Sequence, residues 1–180
     1  MTVRELGQDL EPIESVRDRI LAMVRPAVEE MVALERAHGR VLRENVSASD
    51  PVPPFDNSAM DGYGVIAADL ASASESAPAT LRLAGEVVAG DSGAGVVLEP
   101  GATVRILTGA PIPRGVEAVV PHELTERDGE SVRFFAPVAP GKNIRRAGCD
   151  MQAGDVVLES GRALTSGRIA IAAALGRSLL

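Results

Sequence analysis

Pro51-Val52-Pro53-Pro54-Phe55-Asp56-Asn57-Ser58-Ala59-Met60-Asp61-Gly62-Tyr63 is the stretch on which the reading of this 180-residue chain turns. Prolines crowded into 51–54 forbid a helix and a central strand there, because proline fixes φ and lacks the amide donor. The stretch is therefore a boundary. Upstream, Ile13, Val16, Ile20 and Val24 recur at helical spacing, the stripe of an amphipathic helix. Pro12 suits its first turn and Pro26 its stop. A second stripe, Met31, Leu34, Val41 and Leu42, is broken by Gly39. It reads as strand or helix over 29–37 and as a short helical segment over 38–45.

Downstream the texture changes. Val65-Ile66, Leu81 to Ala89, Val104 to Leu107, Ala118 to Val120 and Ser131 to Pro137 are short β-branched runs between turns bearing Gly or Pro. Such spacing predicts an all-β sheet or small barrel rather than βαβ units. Ala71 to Ala79 reads as an exposed loop, and 141–150 as loop. A short strand is expected over Asp155 to Glu159. A last helix should open at Thr165 or Ser166 and close near Gly176. The expected fold is α+β: an N-terminal helix (1–26), an elongated mixed α/β scaffold (27–50 and 140–180), and a β-rich, barrel-like domain (51–139) inserted into it. The closing Arg177-Ser178-Leu179-Leu180 reads as the approach to a further element, so the chain is expected to be part of something longer.

Composition narrows the function. The net charge of −7 lacks the basic footprint of a phosphate-backbone binder, and three Phe, one Tyr and no Trp make base-stacking platforms a poor expectation. Cys149 is the one cysteine and cannot form an internal disulfide, which suits a reducing compartment. The first residues show no apolar signal region, and the longest apolar run, Ile169 to Leu175, is far short of the roughly 20 residues that span a bilayer. A cytoplasmic protein with neither nucleic-acid nor membrane partners is expected.

Three stretches carry chemistry. Asp56, Asn57, Ser58 and Asp61 form an oxygen-rich loop able to hold Mg²⁺ or orient polar substrate groups; the alternative is Asx turns and capping. Thr108-Gly109-Ala110-Pro111-Ile112-Pro113 ends an apolar strand, where Thr108 could offer a hydroxyl and an N–H to a phosphate or pterin edge and Gly109 allows close backbone approach. An ordinary proline-stiffened β-turn is the competing reading. Arg145 and Arg146 stand beside Asp150, suited either to anion recognition or to an internal ion pair. Gly90 to Gly95 lacks the Lys-Ser/Thr of a phosphate loop and reads as a hairpin or surface loop. Cys149 sits in no metal-ligand pattern, and His38 and His122 read as surface or helix-end residues.

In order along the chain, these stretches resemble a known family. Pro54 to Tyr63, Ala84-Gly85-Glu86, Val104 to Pro113, Glu117 to Val120 with Glu123, and Asn143 to Gly148 resemble the signatures of molybdopterin molybdotransferases, the MoeA and gephyrin E-domain family. The resemblance runs from about residue 12 to 176. It implies molybdenum cofactor biosynthesis: molybdate is inserted into adenylylated molybdopterin with Mg²⁺, releasing AMP. It implies catalytic roles for Asp61, Thr108 and Asp150, substrate contacts from Asn57, Ser58, Gly109, Arg145 and Arg146, and Mg²⁺ at Asp56 and Asp61. It also implies a homodimer and contact with other cofactor-biosynthesis proteins. Family members continue into a second α/β domain and a small β domain, so this chain alone is expected to be an incomplete, inactive portion. Cys149 stands where the family usually has an acidic residue. The competing class is a non-catalytic scaffold or dimerisation module of the gephyrin type.

Overall fold

The computed structural model describes residues 11–25, 27–92 and 95–180. Pro26, read above as a helix stop, Gly93 and Ala94 of the 90–95 loop, and residues 1–10 lie outside them.

The β-rich texture becomes one six-stranded sheet. Its members are β3 (Gly62–Val65), β4 (Ala79–Val87), β5 (Ala102–Ile106), β6 (Ala118–Pro121), β7 (Thr125–Asp128) and β8 (Ser131–Phe134), in the order β6-β3-β5-β4-β8-β7. All pairs are antiparallel except β4 with β5. Three strand spacings separate β3 from β8, about 14 Å if the sheet were flat. Yet Tyr63 and Phe134 meet edge to face with ring centroids 6.3 Å apart. The sheet is curled into a half-barrel around that contact.

Strand alternation then builds two cores. Tyr63, Val65, Leu81, Ala118, Val120, Val132 and Phe134 face inward with Leu70 and Ala73, while Val87, Ala102, Val104, Ile106 and Val119 pack on the other face with Leu98, Ala110 and Val116. With so few aromatics, the second core is entirely aliphatic. A third cluster joins Ala37, Leu42 and Val46 to Leu158, Leu164 and Ala172, drawing only on chain before and after the sheet. It is framed by β1 (Val46–Ser47) paired with β10 (Val156–Leu158), and by α2 (Ser166–Ala174), whose Thr165 hydroxyl caps the Arg168 N–H. Two further short strands, β2 (Asn57–Ser58) and β9 (Ile144–Arg145), pair antiparallel. The first helix, α1 (Ile13–Met23), starts after Pro12 and has no buried residue.

Several expectations need correction. The 38–45 segment is not helical: Gly39 takes φ +78°, and Gly39 and Leu42 spend their amides on Leu164 O and Arg162 O. Pairing with the chain after β10 wins over local helix propensity there. Over 29–37 the only helix is one 3₁₀ turn, Leu34–Arg36. Strand β7 was missed because Thr125-Glu126-Arg127-Asp128 carries no apolar alternation; it is a charged edge strand, tied to β8 by the Glu126–Arg133 ion pair. The loop expected over 141–150 contains β9.

Gly62 shows how tightly β3 and β6 meet. A Cβ there would lie 2.2 Å from Val120 O, so the strand pairing itself would have to open. We expect Gly62→Ala to lower stability by about 2 kcal/mol in urea unfolding, in the range of overpacking. Gly167→Ala in the first turn of α2, where an added Cβ meets nothing within 4 Å, should be neutral or stabilising.

Candidate active site

The 55–61 loop is stitched between two other segments. Ser58 accepts from Gly109 N and donates its own amide to Ala110 O, Asp56 O accepts from Ile112 N, and Ala59 N donates to Asn143 O. Residues 109–112 thus lie on one side of β2 and residues 143–145 on the other. Gly109 makes its turn at φ +80°, a left-handed conformation that favours glycine. The three motif stretches, far apart in sequence, become one surface.

Asp61 is tied through one oxygen only. Its Oδ1 accepts from both Thr108 N and Thr108 Oγ1, each at 2.7 Å. Those two donors hold the carboxyl below its usual pKa, the backbone N–H first and the hydroxyl second, with smaller help from the His122 and Arg105 charges. Thr108 therefore spends on Asp61 the donors that the sequence reading assigned to a ligand. No protein donor meets Oδ2 of Asp61 among the described residues, so one anionic oxygen faces solvent.

Asp56 differs. Its Oδ1 accepts from Ala147 N at 2.8 Å and its Oδ2 pairs with Arg146 Nη1. The Ala147 amide, then Arg146, hold its pKa down. Both oxygens are engaged, so the geometry makes Asp56 a clamp on the 145–148 loop and does not present it, as expected above, beside Asp61 as a metal ligand. Asp150 accepts from Arg145 Nη2 at 2.6 Å, which chiefly lowers its pKa, and the exposed Cys149 thiol lies 3.5 Å from its other oxygen. The internal ion-pair reading of both arginines is the one this arrangement displays.

Asn57 and Ser58, expected to contact substrate, are buried at 5% and 0% exposure. Asn57 Nδ2 donates to Phe55 O and Ser58 Oγ donates to Met60 O, so both side chains serve the loop itself. His122, read from the sequence as a surface or helix-end residue, is exposed at the start of a 3₁₀ turn after β6 and also adjoins Asp61. It donates its amide to Asp61 O and sets its Nδ1 3.2 Å from the same oxygen. No side-chain signal marks that position; only the β3–β6 register does.

This geometry, together with the comparisons, identifies the family. The MoeA N-terminal region (domain I and II) family model matches residues 11–176. The chain belongs to that family. It is 42% identical over 159 residues to molybdopterin molybdenumtransferase 2 of Mycobacterium tuberculosis, covering 88% of this chain and 39% of the relative. A Bacillus subtilis molybdopterin molybdenumtransferase is 36% identical over 173 residues, with 92% of this chain and 39% of the relative covered. The crystal structure of a molybdopterin biosynthesis MoeA protein from Pyrococcus horikoshii superposes with a TM-score of 0.89 at 36% identity, over 96% of this chain and 45% of that one. The chain thus spans about two-fifths of the length of these relatives. The half-barrel with two helices is the family's N-terminal fold.

A titration tests the electrostatics. Because the pKa of Asp61 is lowered, its bonds to Thr108 are complete at neutral pH and fade only as pH falls through that lowered value, below the ordinary 3.8. The Thr108 amide resonance should therefore shift in strong acid and stay constant above about pH 5. Asp61→Asn should remove that acid step while the Ala147 amide, reporting Asp56, keeps its own.

Proposed function

We propose that this chain supplies one wall of a molybdopterin molybdotransferase site, acting in molybdenum cofactor biosynthesis by inserting molybdate into adenylylated molybdopterin with release of AMP. The observation that carries the reading is the Asp61–Thr108 pair, set in a surface built from all three family motifs. In this reading Asp61, Thr108 and Asp150 are the catalytic-wall residues. Gly109 offers backbone close to the substrate, and Arg145 and Arg146 flank it. The third hydrophobic cluster supports a scaffold of 27–50 and 140–180, with 51–139 as the inserted unit and α1 as the helix that precedes them. Partners in the reading are a second copy of the protein and other cofactor-biosynthesis proteins, with cytoplasmic location and no nucleic acid. Among the described residues, no helix is long and apolar enough to cross a membrane.

The donor set fits Mg²⁺ at one point. Asp61 keeps a free, exposed anionic oxygen, whereas Asp56 has none, and among the described residues no cluster of three or more His, Cys, Asp or Glu could hold a metal ion. A cation that keeps most of its waters and takes its other oxygens from substrate phosphates matches a single protein carboxylate. When bound, Mg²⁺ would neutralise charge on the phosphoryl oxygens. The chain's own part is to hold Asp61 ionised and oriented through Thr108.

A chimera decides the matter. In the Mycobacterium tuberculosis relative, the matched region is replaced by this chain and expressed in a bacterial strain lacking molybdotransferase. The chimera should restore molybdoenzyme activity and the 180-residue chain alone should not. Asp61→Asn in the chimera should cut restoration at least about 100-fold with an unchanged melt, as for loss of a group that places a metal-bound substrate. A folded chimera that restores nothing would favour the scaffold reading.

The α1 segment generates a second expectation. Ile13, Ile20, Leu21 and Met23 are 82%, 51%, 60% and 69% exposed, and Val28 and Met31 are exposed as well. Soluble monomers rarely leave such a patch open. The isolated chain should therefore self-associate in light scattering, and Ile20→Glu with Leu21→Glu should return it to a monomer.

A further inference from the structure

The mouth of the half-barrel carries more charge than the motifs account for. β3 runs antiparallel to β5 and β6, and β4 runs parallel to β5, so the start of β3 and the ends of the other three share one rim. Register places Tyr63 opposite Arg105 and Arg105 beside Glu86. Opposed residues share a face and alternate residues along a strand return to it. Asp61, Arg105 and Glu86 therefore project from the same face as Tyr63, with Arg105 diagonal to Asp61 and within reach of a long side chain.

Arg105 differs from the other arginines near the site. Arg145 and Arg146 commit terminal nitrogens to Asp150 and Asp56. Arg105 instead turns Nε toward Glu86 Oε1 at 3.2 Å, and among the described residues its terminal nitrogens meet no protein acceptor. The ion pair anchors the guanidinium through Nε and leaves its terminal nitrogens, the fork of a side chain 43% exposed, without a protein partner among the described residues. That fork matches two oxygens of a phosphate, whereas an ammonium would present only a point charge. Thr108 does most to lower the Asp61 pKa, and the Arg105 charge adds a small part in the same direction.

We propose that Arg105 is a further substrate-contacting residue of this rim, its terminal nitrogens gripping the oxygens of a magnesium-bound diphosphate beside Asp61. The proposal rests on the transferase reading for its ligand class. Charge explains why the metal comes with the ligand. Asp61, Glu86 and Glu123 bring three carboxylates to the rim against Arg105 and a His122 whose Nδ1 lies 3.4 Å from Glu123. A bare anion meets net repulsion there. A diphosphate carrying Mg²⁺ offers the cation to Asp61 and its remaining oxygens to Arg105.

Magnesium pyrophosphate is the probe, titrated into the isotope-labelled chain and followed by amide resonances. Thr108, Gly109 and His122 should shift on addition, and Arg105→Gln should weaken binding by about tenfold or more, the scale of one lost charge-assisted fork. Arg105→Lys keeps the charge and should lose an intermediate amount; it also serves if Arg105→Gln melts early. Arg127→Gln, on the distant edge strand β7, removes the same net charge and should bind as the unaltered chain does. Rim amides silent up to about 10 mM probe would overturn the proposal, since that is weaker than any useful contact. So would Arg105→Gln or Arg105→Lys binding as tightly as the unaltered chain, or Arg127→Gln matching the loss at Arg105. The readout needs no pterin, so an inactive chimera that still binds the probe would sink the transferase reading and leave Arg105 standing. An active chimera with an indifferent Arg105 would do the reverse.

Discussion

Ser58 exchanges backbone hydrogen bonds with Gly109 and Ala110 while Ala59 bonds to Asn143, and most of the site depends on that stitch. A two-residue strand has little stability of its own. Its position comes instead from being held on both sides, with Ser58 fully buried between them. Once β2 is fixed, Asp56 emerges at one end toward the 145–148 loop and Asp61 at the other toward Thr108. The two carboxylates look alike in sequence and are separated in role by the strand between them.

The half-barrel supplies the second constraint. The Tyr63–Phe134 contact closes the curl on one face, and aliphatic packing of Val104, Ile106 and Val119 fills the other. Curling gathers strand ends that a flat sheet would spread out. Rim residues from four strands thus come within reach of one another although Asp61, Glu86, Arg105 and His122 are each more than fifteen positions apart along the chain.

Much of this was legible in the order of residues. Apolar, β-branched runs between Gly- and Pro-bearing turns mark four of the six sheet strands, because those strands are buried on at least one face and must carry apolar side chains, whereas the glycine-rich β3 was touched only at Val65. The charged edge strand left no such trace. The candidate site was legible as residue types but not as partnerships. Thr108 and Asp61 were both singled out, yet their mutual bond spans 47 positions and is set by the β3–β5 register, which no local pattern encodes. Asn57 and Ser58 looked like ligands because polar side chains in loops usually face water; here the stitch buries them. Arg105 was hidden inside an apolar run. The available signal was its parity: Val104 and Ile106 fill one face, so the residue between them must project from the other.

Beside the third hydrophobic cluster, Val32 and Leu180 exchange a pair of backbone hydrogen bonds, 2.8 and 3.0 Å long, with Ala33 bridged to Leu179. The passage leading back to α1 and the last residues of the sequence therefore run side by side in opposite directions. A single covalent connection can swivel about its own bonds; two joined by a ladder resist torsion. Residues 32–33 and 179–180 thus form a stiff, two-ply edge laid against the third hydrophobic cluster, to which Val32 and Leu180 add their side chains.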